Sequence, residues 1–342
     1  MRFPSVCVVL LAAVCIAALP AQSRDAALAN HVKADMSFLA SDTLGGRGSL
    51  TRNEHMAAQY CASVFEGLGL KPAGDNGTYI QKIGVDLSHT SERMKQQLAT
   101  FEDTPRTETW NAVAVLPGND AQLKNEVILL TAHLDHLGTL KESKNGDSIY
   151  NGADDDASGT TAVLNIARAL AAGKPLKRTV VFALFGSEEM GGFGARGFLA
   201  HPPVPLNTLV ANLEFEMIGR PDSAVPEGTL WLTGYERSNL GPELAKHGAH
   251  IVADPHPKEN FFMRSDNIAL ARQGIIAQTV SSFGLHKDYH QLSDEIKTID
   301  FTHMTEAIRS MEEPVRWLSD SAWKPQWNPD GKPDAPTQRR PQ

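Results

Sequence analysis

A three-layer αβα domain around a central mixed, mostly parallel β-sheet is the fold class this sequence predicts, and three observations predict it. Short β-branched runs alternate with stretches of helical periodicity, as they do where strands are joined through crossover helices. Several of those runs are apolar at every position, so they read as strands covered on both faces. The composition is globular: 342 residues, 42% hydrophobic and 21% charged, enough for one large domain with a sizeable core. A formal charge of -8 provides no basic field for nucleic acid or anionic lipid, and argues against both as partners.

The chain opens with Arg2, the apolar run VCVVLLAAVCIAAL, and PAQS, in which Ala21 and Ser23 suit processing. That run is about 14 residues, short of the roughly 20 a spanning helix needs. Residues 1–23 are therefore expected to be a secretory signal peptide, leaving a mature chain that is periplasmic or extracellular, with no stable membrane span. A lipid-modified Cys15 is a minor alternative, weakened by Val14. Loss of Cys7 and Cys15 leaves Cys61 alone, so no internal disulfide forms. Cys61 lies among the apolar positions of a helix and reads as a buried thiol.

Helical periodicity covers residues 30–41 and 52–68, with the loop SDTLGGRGS between them. The strands come next: NAVAVLP, VILLTAH, TVVFALF, LVANLEFEMI, GTLWLTG and GIIAQTV. SGTTAVLNIARALAAG is a helix with Ser158 near its start and Gly173 at its end. NLGPELAKHGA and TEAIRSMEEPVRWLSD add two more, and Pro314 in the last marks a kink or break. Residues between Ile83 and Asn111 are too few for an inserted domain and read as a surface excursion with solvated charges. One domain over 24–322 is expected, followed by a Pro-rich, disordered tail at 323–342.

Acidic and histidine clusters fall where strands end. VILLTAH finishes at His133, TVVFALFGS leads into Glu188 and Glu189, and LVANLEFEM carries Glu216 near its end. The carboxyl ends of strands in an open α/β sheet form the rim where ligands bind. A lone histidine, an EE pair or an Asp triplet is usually solvated loop, but their joint arrival at one rim argues for a site. Carboxylates with imidazoles and no thiolate are the donors of a catalytic divalent metal. Asp135, two residues after His133, suits a carboxylate that orients the imidazole through its other nitrogen. A calcium loop at DDDASG fails, because a helix begins directly after it where further oxygen ligands would be needed.

The motifs AHLDHLG, NGADDDASG, GSEEMGGFGARGF, NLEFEMIGR and DYHQLSDE, in that order, resemble the zinc-dependent M28 peptidases, in which one aspartate bridges two metals. The likeness extends from about residue 30 to about 318 and includes FLASDTLGGRGS and GLGLKPAGDNGTYIQ. It implies a zinc-exopeptidase fold without inserted protease-associated or dimerisation domain, and two divalent ions, zinc foremost. It further implies that His133 and Glu216 hold one ion, Glu189 and His290 the other, that Asp155 bridges them, and that Glu188 is the general base. A cis peptide between Asp155 and Asp156 belongs to the same pattern, and Asp154 is left as a neighbour.

The sequence departs from the family at two points. Glu216 stands where many members have Asp, a tolerable extra methylene, and Asn267 stands where His is frequent. Glu214 is the rival ligand to Glu216 by strand alternation. His136, His201, His286 and His303 read as surface or packing residues, with His286 on a loop that must approach the metals. Arg264, Phe261, Phe262 and Phe283 are candidates for a substrate pocket, though each phenylalanine suits a core as well. The function implied is a secreted, monomeric dizinc aminopeptidase acting on peptide or protein N-termini. The alternatives are a glutaminyl cyclase-like acyltransferase with one zinc, a carboxypeptidase or dipeptidase, and a non-catalytic binding domain. The related M20 architecture is disfavoured because the interval from Glu216 to His290 leaves little room for its inserted domain.

Overall fold

The computed structural model describes residues 21–334. The expected signal segment lies outside the described residues except for 21–23, which open the first helix. In chain order the elements are α1 (Ala21–Leu39), α2 (Arg52–Gly67), β1 (Lys71–Pro72), β2 (Ile80–Gly84), α3 (Glu92–Ala99), β3 (Glu108–Leu116) and β4 (Val127–His133). A small hairpin, β5 (Thr139–Lys144) and β6 (Asp147–Ile149), precedes α4 (Gly159–Ala171), β7 (Thr179–Phe185), α5 (Phe193–Ala200) and β8 (Leu209–Phe215). Then come β9 (Leu230–Leu232), α6 (Leu240–Lys246), β10 (Ile251–Ala253), α7 (Asn267–Ala271), β11 (Ala277–Ser281) and α8 (Phe301–Asp320).

The middle of the sheet is the parallel series β7, β4, β8, β11. Its margins are mixed: β3 lies antiparallel to β7 and pairs with β1 and β2, while β9 lies antiparallel to β11 and parallel to β10. His133 of β4 sits opposite Phe185 of β7, and Thr131 opposite Glu214 of β8. The four parallel strands therefore end close to one level, and the loops leaving their carboxyl ends share one rim.

Uninterrupted apolar strands meet cores on both faces, as their composition requires. Ile128, Leu130 and Ala132 of β4 and Phe182 and Leu184 of β7 enter the larger core, with Met36 of α1, Phe65 of α2, Ile166 of α4 and Met311 of α8. Their neighbours Leu129, Val181, Ala183 and Phe185 point the other way, toward Phe198 of α5 and Leu270 of α7. Cys61 is fully buried in the larger core, where burial pushes its thiol up and leaves it inert.

Two expectations change, and a third gains detail. The helix expected to kink or break at Pro314 continues to Asp320, because burial of Met311, Val315 and Leu318 on the core side offsets the hydrogen bond that proline removes. The excursion between Ile83 and Asn111 contains α3, and its Leu98 and Phe101 bury against Leu50, Val85 and Met190. The tail expected to be disordered from 323 packs back as far as the described residues go. Ser238 bridges to Trp327, whose Nε1 donates to Gly274 O at 3.1 Å, and the Trp323 ring lies tilted against Trp317 at 5.6 Å. Tryptophans are too apolar for a solvated tail.

Candidate metal centre

All four parallel strands deliver acid or imidazole groups to the rim. β4 ends in His133, the turn after β7 carries Glu188 and Glu189, and Glu216 directly follows β8. The loop after β11 brings His290, and the turn Ala153–Ser158 ahead of α4 brings Asp155. Ser187, Met217 and His290 all have left-handed backbone, with φ of 54°, 50° and 55°. Non-glycine residues adopt that conformation at a cost of about 1–2 kcal/mol, and they concentrate at functional sites. The Asp155–Asp156 peptide is cis.

Asp155 lies at the centre of the arrangement. Its Oδ1 is 3.1 Å from His133 Nε2, and its Oδ2 is 3.1 Å from His290 Nε2. Glu189 Oε1 is 3.2 Å from the same His290 nitrogen. Donor atoms of His133, Asp155 and Glu216 all lie within 4.8 Å of one another, and so do those of His136, Asp155 and Glu189. The donors are oxygen and imidazole nitrogen without thiolate, and one carboxylate faces two imidazoles with separate oxygens. That set fits hard to borderline divalent cations such as zinc.

Other residues hold these side chains in place. Asp135 Oδ1 lies 3.6 Å from His133 Nδ1, just beyond hydrogen-bond length, and accepts the Glu188 backbone N–H at 2.9 Å. Its Oδ2 accepts from Ser49 Oγ at 2.5 Å. One carboxylate thus grips the turn after β7 while it faces the imidazole of β4. Asp156 joins the rim in a similar way, accepting from the backbone N–H groups of His133, Gly159 and Met217. Asp294 Oδ2 receives the N–H of Asp155 at 3.1 Å, and both its oxygens face the N–H of Asp154. Arg47, fully buried, donates to the carbonyls of Leu39, Leu134, Asn151 and Gly152.

The protonation preferences depend on partners as much as on burial. Burial opposes ionisation of Asp155, but hydrogen bonds from His133 and His290 hold its carboxyl well below the usual range. Burial and the charge of Asp155 likewise oppose Glu189, and hydrogen bonds from His136 and His290 still bring it down to about 2. His290 is disfavoured as a cation by burial, yet Asp155 and Glu189 push it up to about 10. Glu188 behaves oppositely. Burial raises its carboxyl well above the ordinary range, His133 opposes this, and the charges of Asp266, Glu189 and Glu216 add to it. A bound cation reverses that repulsion.

The sequence readings fare unevenly in this geometry. His133, Asp135, Asp155, Glu188, Glu189, Glu216 and His290 all come to the one rim. Glu214, the rival of Glu216, turns away and accepts from Asn267 N–H at 2.7 Å and Thr279 Oγ1 at 3.1 Å. Phe261, Phe283 and Arg264 line the recess beside the rim, with Met217, Trp231 and Tyr289. Phe262 does not; its ring lies under Arg237 and against Trp327 in the second core. His136 and His286, read as surface or packing residues, both belong to the site's surroundings: His136 Nδ1 is 2.9 Å from Glu189 Oε1, and His286 Nε2 is 2.8 Å from Asp154 Oδ2. Asp154 is correspondingly a latch for the His290 loop. Arg47 and Asp294 were missed as well, although GGRGS and QLSDE contained them.

Rim, donors and sheet together define an α/β metal-binding scaffold of the kind zinc peptidases use. The model of peptidase family M28 matches residues 111–313, more than half of the chain, and the chain belongs to that family. A probable zinc metalloprotease of Pyrenophora teres f. teres is 30% identical over 167 residues, covering 43% of this chain and 34% of that protein. The chain thus spans about a third of that curated relative's length. A zinc aminopeptidase from Bacillus subtilis superposes with a TM-score of 0.63 at 15% identity, covering 90% of this chain and 98% of the other. The glutaminyl cyclase of Porphyromonas gingivalis does so at 0.58 and 15% identity, covering 85% and 97%. At such identities the likeness is one of fold. No helix among the described residues is long and apolar enough to cross a membrane.

Proposed function

We propose that this chain is an exported, monomeric two-metal exopeptidase that removes residues from peptide N-termini. The observation that carries the reading is Asp155, whose two oxygens each lie 3.1 Å from an imidazole nitrogen of a different histidine. A carboxylate so placed suits a bridge between two cations. In this reading His133 and Glu216 hold one ion, Glu189 and His290 the other, and both are zinc, the metal named for the relatives. When bound, such ions supply Lewis acidity and a lowered pKa for water.

The chain's own residues do the rest. Glu188 takes a proton from the attacking water and hands it to the leaving amine. Burial, the largest influence on its carboxyl, favours the protonated form and suits a group that must hold a proton between those two transfers. Asp135 is a positioning residue, gripping the Glu188 backbone while it faces His133. The recess walled by Met217, Trp231, Phe261 and Phe283 receives the side chain of the terminal residue.

The fold shared with a glutaminyl cyclase supports a second reading, acyl transfer by one zinc, and the same donors serve carboxypeptidases and dipeptidases. A panel of aminoacyl nitroanilides, N-blocked peptides and N-terminal glutamine peptides separates them. Zinc-loaded protein is expected to hydrolyse the free-amine substrates and to lose this on chelation. Cyclisation of glutamine without hydrolysis, or cleavage of N-blocked peptides alone, would replace the proposal.

A further inference from the structure

His136 is fully buried, and its surroundings leave its Nδ1 a single direction. Gly152 lies against the ring so closely that an added Cβ would sit 2.6 Å from its carbons, and Tyr150 and His290 meet it edge-on. Within that slot Nδ1 is 2.9 Å from Glu189 Oε1 and 3.8 Å from Asp155 Oδ2. Those are the same two oxygens that His290 Nε2 addresses at 3.2 and 3.1 Å. Nε2 of His136 is buried with no hydrogen-bond partner, so nothing on the far side of the ring explains its placement. Two imidazole nitrogens therefore address the same pair of carboxylate oxygens, and donor atoms of His136, Asp155 and Glu189 lie within 4.8 Å of one another.

Resting on the two-metal reading, we propose that His136 is a fourth protein donor to the ion held by Asp155, Glu189 and His290. The two positions are then unequal. The first has three protein donors, His133, Asp155 and Glu216, the pattern of a site that keeps a place open for water or substrate. The second has four and is closed by protein. It fills first and retains its ion, while the three-donor site exchanges. The HLDH sequence thereby serves both positions, with His133 on one side and His136 on the other.

X-ray absorption on the wild-type protein with one equivalent of zinc tests this without any variant. Two imidazoles per zinc are expected, from His136 and His290; one imidazole per zinc overturns the assignment. Zinc affinities of H136A and H136Q, measured by competition with a chromophoric chelator, give the second readout. Both variants are expected to lose more than about 100-fold in affinity for the tighter equivalent and to keep the weaker one, a loss beyond the 10–100-fold typical of groups that only support a ligand. Wild-type affinity in either variant overturns it, because glutamine retains a hydrogen bond to Glu189 but replaces the imidazole. A wild-type protein that binds no zinc would instead sink the two-metal reading itself.

Discussion

Two sets of carboxylates lie buried at the same end of this sheet, and their protonation diverges. Asp155 and Glu189 are held ionised, Glu189 down to about 2, while Glu214 and Asp266 are pushed up to about 8 and about 7. Burial raises all four. The difference lies in their partners: the first pair is hydrogen-bonded by His133, His136 and His290, whereas Glu214 has only a backbone N–H and a hydroxyl, and both it and Asp266 face further acids. A buried carboxylate stays charged, and so fit to hold a cation, only where imidazoles or metal oppose the loss of water. Glu214 is thereby favoured as a neutral acid beside an ionised site.

The sharpest way to break this contrast is to neutralise one member of each pair. D155N keeps the size of the central side chain but removes its charge. It is expected to lose bound zinc and at least about a thousandfold in turnover, since in the proposed reading one group serves both ions. Zinc content by elemental analysis alongside hydrolysis of an aminoacyl nitroanilide reads both, and wild-type zinc content in D155N would show that Asp155 is not the bridge.

E214Q is expected to do the reverse and help. Glu214 is raised to about 8, against the ordinary value near 4.3. Between those values the folded state keeps a proton that the unfolded chain releases. Stability therefore falls as pH rises through the window, at up to about 1.4 kcal/mol per unit. Glutamine keeps the acceptor for Asn267 and Thr279 without that charge, so the variant should gain on wild type by about 2–4 kcal/mol between pH 5 and 8.5. Urea midpoints across that range measure it; curves that stay parallel would mean that Glu214 ionises freely in the fold.

Much of the site was legible because it is written at strand ends. VILLTAH, the EE after TVVFALF and the E after LVANLEF each announce themselves by a switch from apolar to acidic or imidazole residues. The illegible part acts across long sequence separations on backbone groups, which leave no mark on composition. Arg47 reaches carbonyls at Leu134 and Gly152, and Asp294 reaches the N–H of Asp155. His136 was left among surface or packing residues for a related reason: only folding brings Glu189 to 2.9 Å from it. In the fold, the long central strands were visible from their unbroken apolar runs. β1 and β10, at two and three residues, are too short to carry a period.

The central claim is that a metal-binding rim and one adjacent acid, Glu188, make a hydrolase. The most direct measurement is turnover of E188Q beside its zinc content. With the acid gone and its shape kept, zinc stoichiometry should match wild type while kcat falls by roughly 10²–10⁴. Unchanged kcat in a fully metallated E188Q would contradict the account.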